Sequence, residues 1–136
     1  MLDIQLCVRG EYTLAKAKIN SRMKGKSYEN HVAALFRSIG FSESKRHLEF
    51  QMQEGNHGRD LDGTQPFSVQ CKCYGKTPSI TVMNEIVPTE EYPFRVAFLK
   101  KTKSKGSPGI QVVAIDVDVF LSIVGLLKEH NLLSEI

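Results

Sequence analysis

Between Gly58 and Gly75 the sequence reads GRDLDGTQPFSVQCKCYG, and four of its side chains have chemistry to offer. Asp60 and Asp62 are acids placed before a tight polar turn. Gln70 and Lys72 are an amide and an ammonium two residues apart. On an extended strand Phe67, Val69, Cys71 and Cys73 point one way, and Ser68, Gln70 and Lys72 the other. The apolar set can face a core, which leaves the amide and the ammonium side by side on the opposite face. Carboxylate and amide oxygens are ligands for hard cations, and a lysine beside them can offset negative charge that builds up in a reaction. Taken singly, each residue also has a structural reading. Acids are ordinary turn formers, and Gln and Lys suit a solvent-facing strand surface.

The elements that must position these groups follow a mixed α/β order. SYENHVAALFRSI puts Tyr28, Val32, Leu35, Phe36 and Ile39 on one helical stripe. Ser27 is the expected N-cap and Gly40 the stop. HLEFQMQ alternates Leu48, Phe50 and Met52 against polar neighbours and predicts a half-buried strand. Residues 54–58 form a loop, Asp60 to Asp62 a short extended piece, GTQP a turn, and Phe67 to Cys73 the next strand. SITVMNEIV is ambiguous, with a short helix one reading, and Pro88 ends it. FRVAFLK and IQVVAID read as strands, the latter apolar enough to be central in its sheet. Asp118 is the expected cap of a final helix, VFLSIVGLLKEH.

A chain of 136 residues with 41% hydrophobic and 24% charged residues is one globular domain rather than a disordered or fibrous segment. No apolar run approaches the roughly 20 residues of a bilayer span, and the first residues carry no secretory h-region. The expected compartment is the cytoplasm, or the host cytoplasm for a phage-encoded chain. Cys7, Cys71 and Cys73 read as reduced thiols, with no zinc-finger spacing, and the four histidines form no recognisable ligand pattern. The net charge of +3 is unevenly spread. Lys16, Lys18, Arg22, Lys24 and Lys26 precede the first helix, Lys45 and Arg46 follow it, and Lys100, Lys101, Lys103 and Lys105 crowd one loop. Such clusters suit phosphate backbone as well as they suit solvent.

The order helix, strand, acid-bearing strand, and strand ending x-Gln-x-Lys resembles the restriction-endonuclease-like nucleases of the PD-(D/E)xK superfamily. From Met23, MKGKSYENHVAALFRSIGF looks most like the small archaeal and phage Holliday junction resolvases, which open with a basic Gly-containing segment and a Glu early in the first helix. The resemblance covers roughly Lys24 to Val124. It implies a nuclease domain over residues 23–136 behind an N-terminal extension, 1–22. Within it, Glu29 is the first-helix acid, Asp60 the metal-binding acid, Gln70 the second motif position and Lys72 the motif lysine. Arg59 stands where the superfamily's name has proline. Gln70 stands where the pattern has Asp or Glu, although some branches carry Gln-x-Lys.

What the resemblance implies is a compact α/β endonuclease with a mixed sheet flanked by helices, using magnesium, with manganese tolerated, and no small-molecule cofactor. Phosphodiester hydrolysis needs a positioned water and charge relief at phosphorus. Magnesium keeps several waters, so one or two carboxylates suffice. Asp60 can supply a carboxylate, Gln70 its side-chain carbonyl and Cys71 its backbone carbonyl. Glu29 reaches the same site directly or through water, and Lys72 orients the water or steadies the transition state. Leu61, the apolar neighbour the pattern expects, favours Asp60 over Asp62, which is the substitute. Lys24, Lys26, Lys45 and Arg46 are the expected DNA contacts. The substrate expected is branched DNA, four-way junctions above all, cut by a homodimer. A restriction-type or replication-repair nuclease of the same fold, or a decayed DNA-binding module, are the alternatives.

Overall fold

Tyr28, Val32, Ala33 and Phe36 recur at helical spacing and are all buried, so one stripe decides where the first helix must lie. The computed structural model describes residues 21–48, 58–74, 79–101 and 109–136, without the side chains of Ser21, Arg22 and Tyr74. Its elements are α1 (Ser21–Ser38), β1 (Lys45–Arg46), β2 (Leu61–Asp62), β3 (Phe67–Tyr74), α2 (Ser79–Glu85), β4 (Phe94–Lys101), β5 (Ile110–Ile115) and α3 (Val117–Glu129). A 3-10 turn, Leu133–Glu135, follows. The chain is a small α+β domain. β3 and β4 pair in parallel, with Gln70 opposite Ala97, and β5 joins β4 antiparallel. β1 and β2 form a separate two-stranded antiparallel pair.

Helices pack on both faces of the sheet, while β5 stays largely exposed. On one side α1 packs Tyr28, Val32, Ala33 and Phe36 against Val69, Cys71 and Leu61. On the other, Val82, Met83 and Ile86 of α2 and the residue after it meet Ala97 and Leu99. The strand face expected to meet solvent is therefore largely closed. Ser68 is 1% exposed and Gln70 6%.

Several expectations change. α1 begins at Ser21, so Lys24, Lys26 and Ser27 lie inside the helix and Ser27 is no cap. Ile39 falls past the helix end and is exposed. The stop at Gly40 is real: φ is +112° there, and the amides of Gly40 and Phe41 bond back to Arg37 and Phe36. Leu48 lies outside any strand, and Phe50 and Met52 lie outside the described residues. Among the described residues β5 lies at the edge of its sheet, and β4 is the central strand. Asp116, not Asp118, is the N-cap residue of α3, and its side chain makes no capping bond. Its carboxylate is held instead by Arg95, at 2.7 and 3.1 Å. Lys100 belongs to buried β4, its ammonium 5.9 Å over the Tyr28 ring, rather than to the basic loop.

Gly58 has φ +76°, and a Cβ there would strike the carbonyl of Glu85. Gly40 also has a positive φ, but nothing stands within 4 Å of its missing Cβ. Gly40→Ala should lose only the left-handed conformational term, about 1–2 kcal/mol. Gly58→Ala should lose clearly more, because α2 must move away. Urea denaturation of both variants compares them, and equal losses would mean that the close approach of Gly58 to α2 carries no weight.

Candidate functional site

Asp60 is tied to the edge of β3 twice. Its N–H donates to the Val69 carbonyl at 2.8 Å. Its Oδ2 accepts the Cys71 N–H, also at 2.8 Å. The two bonds flank Gln70, so the acid and the motif strand are locked in register. The His47 amide donates to the Asp60 carbonyl at 2.8 Å and holds the segment from its other side.

The N–H and C=O of one strand residue leave on the same side. The Cys71 carbonyl therefore points toward the same edge as the Asp60 carboxylate. The Cys71 thiol is buried, and burial, then the charges of Asp60 and Glu29, push its pKa well above the ordinary value. It stays protonated, and is neither a nucleophile nor a thiolate ligand.

The Asp60 carboxyl is raised from 3.8 to about 6. Burial is the main cause. The Cys71 N–H and the charges of Lys72 and His47 pull it back down, and the charge of Glu85 pushes it up. Lys72 stands with its ammonium 3.5 Å from Glu85 Oε2. Gln70, on the same strand face as Lys72, has its Oε1 buried without a hydrogen-bond partner among the described residues.

The structure thus brings Asp60, Gln70, Cys71 and Lys72 together. Glu29 lies on the α1 side of β3, 3.9 Å from Arg46 Nη1 and with its charge felt at Cys71. Asp62 is committed elsewhere: His47 Nδ1 stands 2.8 Å from its Oδ1, and Arg59 Nε donates to that oxygen at 3.4 Å. Lys45 is exposed on β1, while Lys24 and Lys26 sit half-buried along α1.

Two participants escaped the sequence. His47 is one of the four histidines that form no recognisable ligand pattern in the sequence. Glu85 closes α2, and an acid at a helix C-terminus works against the helix dipole. That misfit was legible in SITVMNEIVP and marks Glu85 as placed for another reason.

Among the described residues no group of three or more His, Cys, Asp or Glu side chains is arranged to hold a metal. The donors present are a carboxylate, a strand carbonyl and a buried amide oxygen with no partner. That set fits magnesium, a hard cation that takes oxygen ligands and retains water. It does not fit zinc, which wants a closed set of nitrogen or sulfur ligands.

No family model, curated protein or solved structure matches the chain.

Because the folded Asp60 titrates above its unfolded value, the folded chain holds a proton that the unfolded chain has lost between about pH 4 and 6. Stability from this group is present below that window and is lost as pH rises through it. In metal-free buffer, raising the pH from about 4 to 7 should cost the wild type on the order of 2–3 kcal/mol relative to Asp60→Asn. Urea melts of both proteins across that range read the difference directly, and a difference constant with pH would mean an unperturbed carboxyl.

Proposed function

We propose that this chain is a metal-dependent DNA endonuclease with a restriction-endonuclease-like fold, acting on branched DNA as a Holliday junction resolvase does. The observation that carries the reading is the double bonding of Asp60 to the two residues flanking Gln70, on the strand that bears Lys72. It turns a loose sequence pattern into a common register for acid, amide and lysine.

Asp60 and the Cys71 carbonyl would hold magnesium or manganese at the strand edge, with Gln70 Oε1 supplying the neutral ligand and Glu29 entering directly or through water. The bound ion would supply Lewis-acid polarisation of the scissile phosphate and a more acidic water. Lys72 would leave its Glu85 partner to face the developing charge at phosphorus, and Glu85 would keep the ammonium oriented until DNA arrives. Lys24, Lys26, Lys45 and Arg46 would hold backbone phosphates on either side, contacts that position without reading sequence. Two matched nicks require two sites, and so a homodimer. The place of action would be the cytoplasm, with no membrane and no organic cofactor involved.

A second reading, a DNA-binding module whose catalysis has decayed, is favoured by one observation. Gln70 leaves the site one acid short, and no three-carboxylate cluster replaces it among the described residues. A restriction-type or replication-repair nuclease would share every role above and differ in substrate.

Cleavage of a synthetic four-way junction, a linear duplex and a single strand, with and without magnesium or manganese, separates these readings. The junction should be nicked, and Asp60→Ala should be inert where Asp62→Ala still cuts. Lys72→Ala should lower the single-turnover rate roughly 100-fold or more, with junction affinity in calcium nearly intact. Equal losses of rate and affinity would make Lys72 one more phosphate contact. A wild type inert on every substrate but revived by Gln70→Glu would establish decay.

A further inference from the structure

Glu85 ends α2 at the position where the helix dipole least favours an acid. Its place is fixed by close packing. A Cβ on Gly58 would strike the Glu85 carbonyl, so the end of α2 rests on the chain two residues before Asp60. Ile86, the next residue, is 2% exposed and shares a core cluster with Ala97 and Leu99 of β4. The Glu85 side chain itself is left 45% exposed, with Lys72 Nζ 3.5 Å from its Oε2.

Strand β3 presents groups that suit it. Gln70 stands opposite Ala97 and Lys72 opposite Leu99 in the parallel register, and residues so paired share one face of a sheet. Ala97 and Leu99 pack with residues of α2, so Gln70 and Lys72 lie on the α2 side. Gln70 is 6% exposed, and its Oε1 has no hydrogen-bond partner among the described residues. A buried acceptor left in that state calls for a ligand or a water. Asp60 completes the group from the β3 edge. Burial does most to raise its carboxyl, the charge of Lys72 lowers it, and that of Glu85 raises it. One ammonium therefore serves two carboxylates.

We propose that Glu85 is a ligand of the divalent cation, supplied from α2 in place of the acid that position 70 lacks. The inference rests on the metal site proposed above and adds one donor to it. Asp60, Glu85, the Gln70 amide and the Cys71 carbonyl all offer oxygen, the donor a hard cation takes. Two of the four carry charge. With the second charge on α2, it stays half in water until the ion binds. A carboxylate at position 70 would be desolvated from the start. The contact with Lys72 is partly exposed, and pairs of that kind are held weakly. Glu85 can therefore exchange the ammonium for a doubly charged ion, and Lys72 is then free to turn to phosphate.

Calorimetric titration of the full chain with Mn2+, without DNA, reads this apart from cleavage. Salt at about 0.5 M screens charges that are not in contact. Wild type should bind, and Asp60→Asn should not. Glu85→Gln should bind at least about tenfold more weakly, a loss that even an outer-shell partner of a metal commonly causes. The Glu85 side chain is half exposed and its charge opposes the helix dipole, so circular dichroism should show this variant folded. Lys72→Met separates a ligand from a mere counter-charge. A ligand still costs about tenfold when Glu85→Gln is added to Lys72→Met, whereas a counter-charge to the lysine then costs nothing. A loss that vanishes in the Lys72→Met background overturns the proposal, as does a wild type that binds no Mn2+. Loss with Asp60→Asn but not with Glu85→Gln refutes this proposal and leaves the endonuclease reading standing. A chain that binds Mn2+ through Glu85 yet cuts no DNA refutes the endonuclease reading alone.

Discussion

The hydrogen bond from the Cys71 amide to the Asp60 carboxylate, 2.8 Å long, lies beneath everything else at the β3 edge. A bond to a charged acceptor contributes roughly 1.5–3 kcal/mol. Even so, the Asp60 carboxyl sits about two pH units above its ordinary value, so burial outweighs the bond, the lysine and the histidine together. An acid left under-compensated in this way gains more than a solvated one when a cation arrives. The main chain of the segment is held from both sides, by Val69 and by His47.

The same edge explains why an amide suits position 70. Gln70 is nearly fully buried. A second carboxylate there would be desolvated beside Asp60 and repelled by it, with Glu85 adding to the repulsion. A neutral carbonyl offers an oxygen without that penalty, and the acid of α2 stands further out, against Lys72.

Local signals were read well. The turn GTQP is closed by Thr64, which both donates to and accepts from Phe67, and turn chemistry of that kind is written in consecutive residues. The alternation in Phe67–Cys73 and the stripe of α1 are likewise visible within a few residues. What failed depended on distant partners. The early start of α1 hides behind lysines and arginines, which are good helix formers. The role of Asp116 depends on Arg95, 21 residues away. An uninterrupted apolar strand such as β5 looks central whether its cover comes from its own chain or from another. Of the candidate site, the apolar place of Leu61 between Asp60 and Asp62 was legible, and Leu61 is fully buried. The pairing of Lys72 with Glu85 was not, because it needed the path of the chain from β3 through α2.

That path has a consequence during synthesis. β3 and β4 are parallel, so β3 cannot fold back on its neighbour through a tight hairpin. It must wait for the crossover through α2 and for the whole of Phe94–Lys101 to follow. Pairings of this kind form late, after the intervening loop has been closed. On the ribosome, Asp60, Gln70 and Lys72 emerge well before the strand that steadies β3. The sheet that supports the site is therefore complete only once β4 has cleared the exit tunnel.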